Sequence, residues 1–132
     1  MENLPQHIDS ALYAIMQQSF GKTGLPLPFV KEIFLLECQI AGTTHLELFK
    51  IEPELLVQDL LVFRREPDNQ FDDLAILILD KEGRKLGYVP KEKNEVPARL
   101  MDAGKLLFGR LEYKEWQSRW LKLRIRVFMR DF

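Results

Sequence analysis

Three places in the 132-residue chain put chemically capable side chains at informative spacings. The first is the closing stretch. Leu121, Leu123, Ile125, Val127 and Met129 alternate there with Trp120, Lys122, Arg124, Arg126, Phe128 and Arg130. Alternation with period two sends the two sets to opposite faces of a strand, so four cations and two aromatics share one face. Cations track phosphates and flat rings stack on bases, the combination by which small barrels hold single strands. The same face also reads as an ordinary solvated one, its cations paired with acids elsewhere in the chain. The second place is Glu66 to Asp73, which holds four carboxylates, Asn69 and Phe71 within eight residues. Asx side chains in such a turn fold back on their own backbone. Phe71 stands out: on general packing grounds it plugs one end of the fold, and the other reading offers it to a ligand. The third place is Gly87-Tyr-Val-Pro-Lys91, where Tyr88 can stack on a base while the Lys91 ammonium holds the adjoining phosphate. Tyr88 reads equally well as a cap on the core.

Other chemistries find less support. Asp68 followed by Glu112 and Lys114 matches the loose carboxylate–lysine pattern of metal-dependent nucleases, a short motif without structural context. One cysteine, Cys38, excludes an intramolecular disulfide framework, and His7 and His45 are too far apart for a Cys/His zinc site. No glycine-rich phosphate loop is present. The expectation is a protein without cofactor or metal and not an enzyme.

The elements that must position these groups follow from composition and pattern. With 46% hydrophobic residues and a net charge of −1, the chain suits one globular domain with a single core. Its longest apolar run, Leu74 to Leu79, is too short to span a bilayer, and the start Met-Glu-Asn-Leu-Pro-Gln lacks the pattern of a secretory signal, so no membrane partner and a cytoplasmic location are expected. The small net charge conceals an asymmetry. Residues 1–83 carry 6 Lys and Arg against 14 Asp and Glu, and residues 84–132 carry 13 against 6, balances of −8 and +7. Such a chain either presents a basic surface or neutralises itself across the fold.

Asp9 to Phe20 predicts a helix, with Asp9 or Ser10 as cap and Leu12, Ile15, Met16 and Phe20 on one stripe, packed on the domain. Gly21 to Pro28 is a connector, making residues 1–30 an N-terminal extension and residues 31–132 the main domain. Strands are predicted at Ile33–Ile40, Leu60–Arg65, Leu74–Leu79, Lys85–Val89, Lys105–Trp116 and Trp120–Met129, with Leu46–Leu56 either a short helix or a loop. Asn94 caps a helix that runs to Asp102 and stops at Gly104. Six strands, with a helix after the fourth, predict a mainly β (α+β) fold, a modified OB-like six-stranded β-barrel, closed or half-open.

The stretch Arg64-Arg-Glu-Pro-Asp-Asn-Gln-Phe-Asp-Asp-Leu-Ala-Ile76, followed by Leu86-Gly-Tyr-Val-Pro-Lys91, resembles the HIRAN domain. That family pairs an Arg-Glu-Pro-Asn-Pro-Tyr-Asp-x-Asn-Ala-Ile stretch with a Gly-Tyr-Ile-Pro stretch and a helix, and the resemblance runs from about Phe34 to Met129. It implies an OB-like barrel of the kind found on DNA-remodelling translocases and as small stand-alone bacterial or phage proteins, where the best understood members capture the 3′ end of single-stranded DNA. On the matching positions, Phe71 falls where a tyrosine stacks on the terminal base and Asp72 where an aspartate accepts the terminal 3′-hydroxyl. Tyr88 and Lys91 fall on the contacts to base and phosphate, and Trp120 on a late aromatic of the same pocket. The sequence departs from the pattern at Thr44 and His45, where DNA-binding members have arginine and tyrosine, and at Gln70 and Leu74.

The leading expectation is a non-catalytic module that binds single-stranded or frayed DNA and belongs to DNA repair. Phe71, Tyr88 and Trp120 stack, Asp72 reads the terminal hydroxyl, and Lys91, Arg124 and Arg126 neutralise phosphates. A protein-interaction adaptor on the same barrel, with a DNA-processing protein as partner, is the alternative, and a nuclease the third reading.

Overall fold

The computed structural model describes residues 31–43 and 48–131. The predicted Asp9–Phe20 helix, its connector, Thr44 and His45 lie outside these residues. Six strands form one antiparallel sheet: β1 (Lys31–Gln39), β2 (Leu60–Glu66), β3 (Ala75–Leu79), β4 (Lys85–Tyr88), β5 (Leu106–Gln117) and β6 (Trp120–Asp131). Their spatial order is β1-β6-β5-β2-β3-β4. A single α-helix among the described residues, α1 (Glu95–Asp102), follows β4, as the sequence predicts. The ambiguous stretch before β2 contains two 3₁₀ turns, Leu48–Lys50 and Glu52–Glu54.

Alternation in β6 sorts its faces as expected: Leu121, Leu123, Ile125 and Val127 are buried in the main core, and Lys122, Arg124 and Arg126 point away from it. β5 and β6 form a long hairpin whose turn places Ser118 at φ +60°. Irregularities between Phe34 and Leu36 in β1, and between Leu111 and Tyr113 in β5, bend the sheet. The sheet curls until its two edges meet once, where the Ala41 N–H donates to the Tyr88 carbonyl at 2.8 Å and the Tyr88 N–H returns a bond of 2.9 Å. One bridge joins the edges; the sheet is open and not a closed barrel.

Gly87 makes this meeting possible. It sits at φ +148°, and a Cβ there would lie 2.4 Å from the Ala41 carbonyl oxygen and 2.6 Å from Ile40 Cγ2. Only a residue without a side chain lets β4 come this close to the end of β1.

The charge asymmetry resolves largely as self-neutralisation. Cations of the second half meet carboxylates of the first at Arg84–Glu54 (3.0 Å), Lys114–Glu52 (2.6 Å), Arg126–Glu37 (3.4 Å) and Arg130–Glu32 (2.9 Å). Arg130 is buried, with its guanidinium 5.6 Å from the Phe108 ring centroid. Of the four cations expected on the open face of β6, Arg130 therefore does not face solvent.

Candidate functional site

The turn between β2 and β3 is built by its own side chains. Asn69 Oδ1 accepts the backbone N–H of Phe71 at 2.8 Å and of Asp72 at 3.2 Å, and Asp72 Oδ1 accepts the Leu74 N–H at 2.9 Å. These are the Asx folds expected of such a sequence. Arg65 clamps the far end: its Nη1 donates to the Ala75 carbonyl at 2.7 Å, its Nη2 to the Asp73 carbonyl at 2.9 Å and its Nε to Asp102 Oδ1 of α1 at 2.9 Å. A turn held from both sides fixes where Phe71 points. It points outward, 86% exposed, and plugs nothing. The packing argument for a plug fails because Asn69 sets the backbone direction before any apolar contact is available.

Asn94 adds a second correction. It occupies the N-cap position of α1, but its side chain makes no capping bond. Its Nδ2 donates instead to Asp72 Oδ2 at 2.6 Å, and Asn94 itself is 1% exposed. The helix start thus orients the Asp72 carboxylate. Each carboxylate oxygen has one bond here and a second lone pair free for a ligand hydroxyl.

On the other side, the Tyr88 hydroxyl donates to Glu66 Oε1 at 2.8 Å, and Asn69 Nδ2 donates to the same oxygen at 3.1 Å. Burial, and then the bond to Glu66, push the Tyr88 phenol up to about 12. Burial alone would raise Glu66, but the Tyr88 and Asn69 hydrogen bonds outweigh it and hold the carboxyl below its ordinary value. Both shifts favour the same state, a phenol donating to a carboxylate. With its hydroxyl turned to Glu66, Tyr88 offers a ring; Lys85 Nζ lies 5.5 Å from the ring centroid.

These groups converge. A groove of about 320 Å³ is lined by Ala41 and Gly42 at the edge bridge, by Asn69, Phe71 and Asp72 of the turn, and by Ala75, Tyr88, Val89 and Lys91. Two rings, an exposed ammonium and an oriented carboxylate therefore share one concavity. Trp120 stands beside it, donating from Nε1 to Thr43 Oγ1 at 2.7 Å, one residue beyond Gly42. Arg124 and Arg126 are not brought to the groove. Arg124 lies 5.2 Å from the Tyr113 ring centroid and 3.9 Å from Glu112, and Arg126 pairs with Glu112 and Glu37. Arg126 lines a separate cavity of about 290 Å³ with Arg110, Glu112 and Phe128.

Two residues that shape the groove, Glu66 and Asn94, escape a reading for chemistry. Glu66 lies inside the Arg-Glu-Pro stretch, a signal that could have marked it; Asn94 looks like a cap. The nuclease pattern does not assemble. Glu112 is engaged by Arg126 and Arg124, Lys114 Nζ bonds Glu52 Oε2 at 2.6 Å, and Asp68 sits exposed in the turn. Among the described residues no group of three His, Cys, Asp or Glu side chains is placed to hold a metal ion, and no helix is long and apolar enough to cross a membrane.

A curled, open antiparallel sheet with a groove at its edge bridge and one helix beneath defines a small β-rich module of the OB-like kind. The HIRAN domain family model matches residues 33–130, and the chain belongs to that family. Among solved structures, a protein from Lactobacillus plantarum is similar at 25% identity, over 78% of this chain and 99% of that one, with a TM-score of 0.72. The crystal structure of the HIRAN domain of human HLTF shares 16% identity over 75% of this chain and 78% of its own, TM-score 0.60. The NMR structure of the HLTF HIRAN domain in its DNA-bound conformation shares 16% over 74% and 79%, TM-score 0.51. No curated protein sequence matches the chain.

Proposed function

We propose that this HIRAN domain is a non-catalytic nucleic-acid-binding module that holds single-stranded or frayed DNA, at a 3′ end, in the groove at the edge bridge. The observation that carries the reading is Phe71, held 86% exposed at the rim of a cavity that also contains Tyr88, Asp72 and Lys91. Holding a large ring in water gains the fold nothing, whereas a base stacked on it is stabilised by about 1–3 kcal/mol. Phe71 and Tyr88 stack, Lys91 meets a phosphate, and the oriented Asp72 accepts the terminal hydroxyl. Trp120 supports the wall through Thr43. A HIRAN domain with this fold has a DNA-bound conformation, which supports the partner class.

The arginines of β6 take no part in this reading, because Glu37 and Glu112 already engage Arg126 and Glu112 lies beside Arg124. Lys91 is the one cation lining the groove, so the salt dependence is shallow: a log–log slope near −0.7 for one phosphate on a single strand. A low-salt anisotropy titration tests the reading with two oligonucleotides, one with a free 3′-hydroxyl and one ending in a 3′-phosphate. Binding of the free end, weakened by the blocked end, is expected. No shift with either strand, together with salt-insensitive capture of a protein, would replace this reading with the adaptor.

A further inference from the structure

Successive side chains of a strand point to opposite faces, so a strand buried at every position needs cover on both. β3 is buried at all five positions and β2 at its first four. Leu61, Phe63, Ile76 and Ile78 face the main core, which Leu48 and Leu55 of the loop and Ala98 of α1 help to fill. Their neighbours point the other way. Val62, Leu77 and Leu79 form a second cluster, 6%, 1% and 3% exposed, and Leu60 with Phe108 forms a third, at 9% and 0%. Both outer clusters are made of sheet residues, and among the described residues no helix or 3₁₀ turn belongs to either. A sheet face this dry has a layer over it.

The chain supplies a candidate of the right size in the right place. Phe34, Phe128, Phe108 and Val62 are successive cross-strand partners, a row running over the outer face from β1 to β2. The chain enters β1 at Lys31, at the β1 end of this row, after 30 preceding residues. Those residues contain the stripe Leu12, Ile15, Met16 and Phe20. A helix over Asp9–Phe20 is about 18 Å long. From β1 to β2 the sheet is roughly 14 Å wide. The ten residues between Phe20 and Lys31 can reach about 33 Å, ample to lay that helix across the row.

We propose that Asp9–Phe20 forms a helix docked on the outer face of β5, β2 and β3, its apolar stripe covering Val62, Leu77, Leu79 and Phe108. Tyr88 packs against the Val62–Leu77–Leu79 cluster, so the docked helix borders the groove and steadies that ring from behind. The inference concerns the chain's own architecture and stands whether or not the groove takes DNA.

Methyl-labelled full-length protein tests it through nuclear Overhauser contacts, with mixed isotope labelling to separate contacts within a molecule from those between copies. Intramolecular cross-peaks from Leu12 and Ile15 methyls to Val62, Leu77 and Leu79, lost in Ile15→Asp, are the expected result. Cross-peaks to the outer face that arise only between copies would assign the cover to a second copy and overturn the proposal. So would an unmodified protein whose outer-face methyls show no contact with any residue before Lys31.

Discussion

At the scale of single residues, the groove depends on side chains that polar neighbours aim. Phe71 contributes little to stability because it is exposed, so Phe71→Ala is expected to leave the thermal midpoint nearly unchanged while weakening single-strand binding by about 1–3 kcal/mol. A large fall in the melting temperature, with affinity retained, would return Phe71 to a packing role. Tyr88 makes a prediction in alkali. Its phenol is pushed up to about 12 by burial and by Glu66. The unfolded chain ionises that phenol earlier, near the ordinary tyrosine value of about 10. Stability from this shift is therefore fully present below about pH 10 and lost as pH rises through about 12. A phenolate absorbance titration should show one late tyrosine that is absent in Tyr88→Phe; no late phase in the unmodified protein would contradict the Tyr88–Glu66 bond. Sequence made the identities of Phe71, Asp72, Tyr88 and Lys91 legible. The direction of Phe71 was not, since it follows from two hydrogen bonds to Asn69 that no periodicity encodes.

At the scale of elements, two junctions hold the site. Asn94 ties the start of α1 to the β2–β3 turn through Asp72. Asn94→Ala leaves that carboxylate without its buried donor and should destabilise the domain by about 1–3 kcal/mol, as read from the denaturant midpoint. It should also erode discrimination between free and blocked 3′ ends; unchanged discrimination would remove Asp72 from terminal recognition. The β3–β4 hairpin rests on Asp80, which is buried and accepts the Glu82 and Arg84 N–H groups at 2.9 and 2.8 Å and Arg84 Nε at 2.8 Å. Strand positions and faces were readable because alternation with period two survives in β5 and β6 over most of their length. The pairing of Arg126 with Glu37 and Glu112 was not readable, because it depends on which strands become neighbours and on the irregularities of β1 and β5. The half-open form of the sheet was hidden for a related reason. It turns on one glycine, whose missing Cβ lets β4 approach Ala41.

For the whole molecule, opposite charges of the two halves close on each other. Hydrogen bonds from Lys114 and Trp116 hold Glu52 below the ordinary carboxylate value, and the Arg65 hydrogen bond does the same for Asp102; Glu66 is also lowered. Groups with depressed folded values add stability that is present above their ordinary range and lost as pH falls through the folded values. The urea midpoint is expected to hold from neutral pH down to about 5 and then decline; a midpoint that stays level through pH 3 would contradict the cross-half pairing. Total charge could not reveal this, because a basic surface and an internally neutralised one give the same sum. The central claim, that rings and an ammonium converge on one working groove, is tested most directly by backbone chemical-shift mapping with a short single-stranded DNA at low salt. Shifts should concentrate at Gly42, Phe71, Asp72, Tyr88 and Lys91. Shifts centred on Arg124 and Arg126 instead, with the groove unmoved, would contradict it.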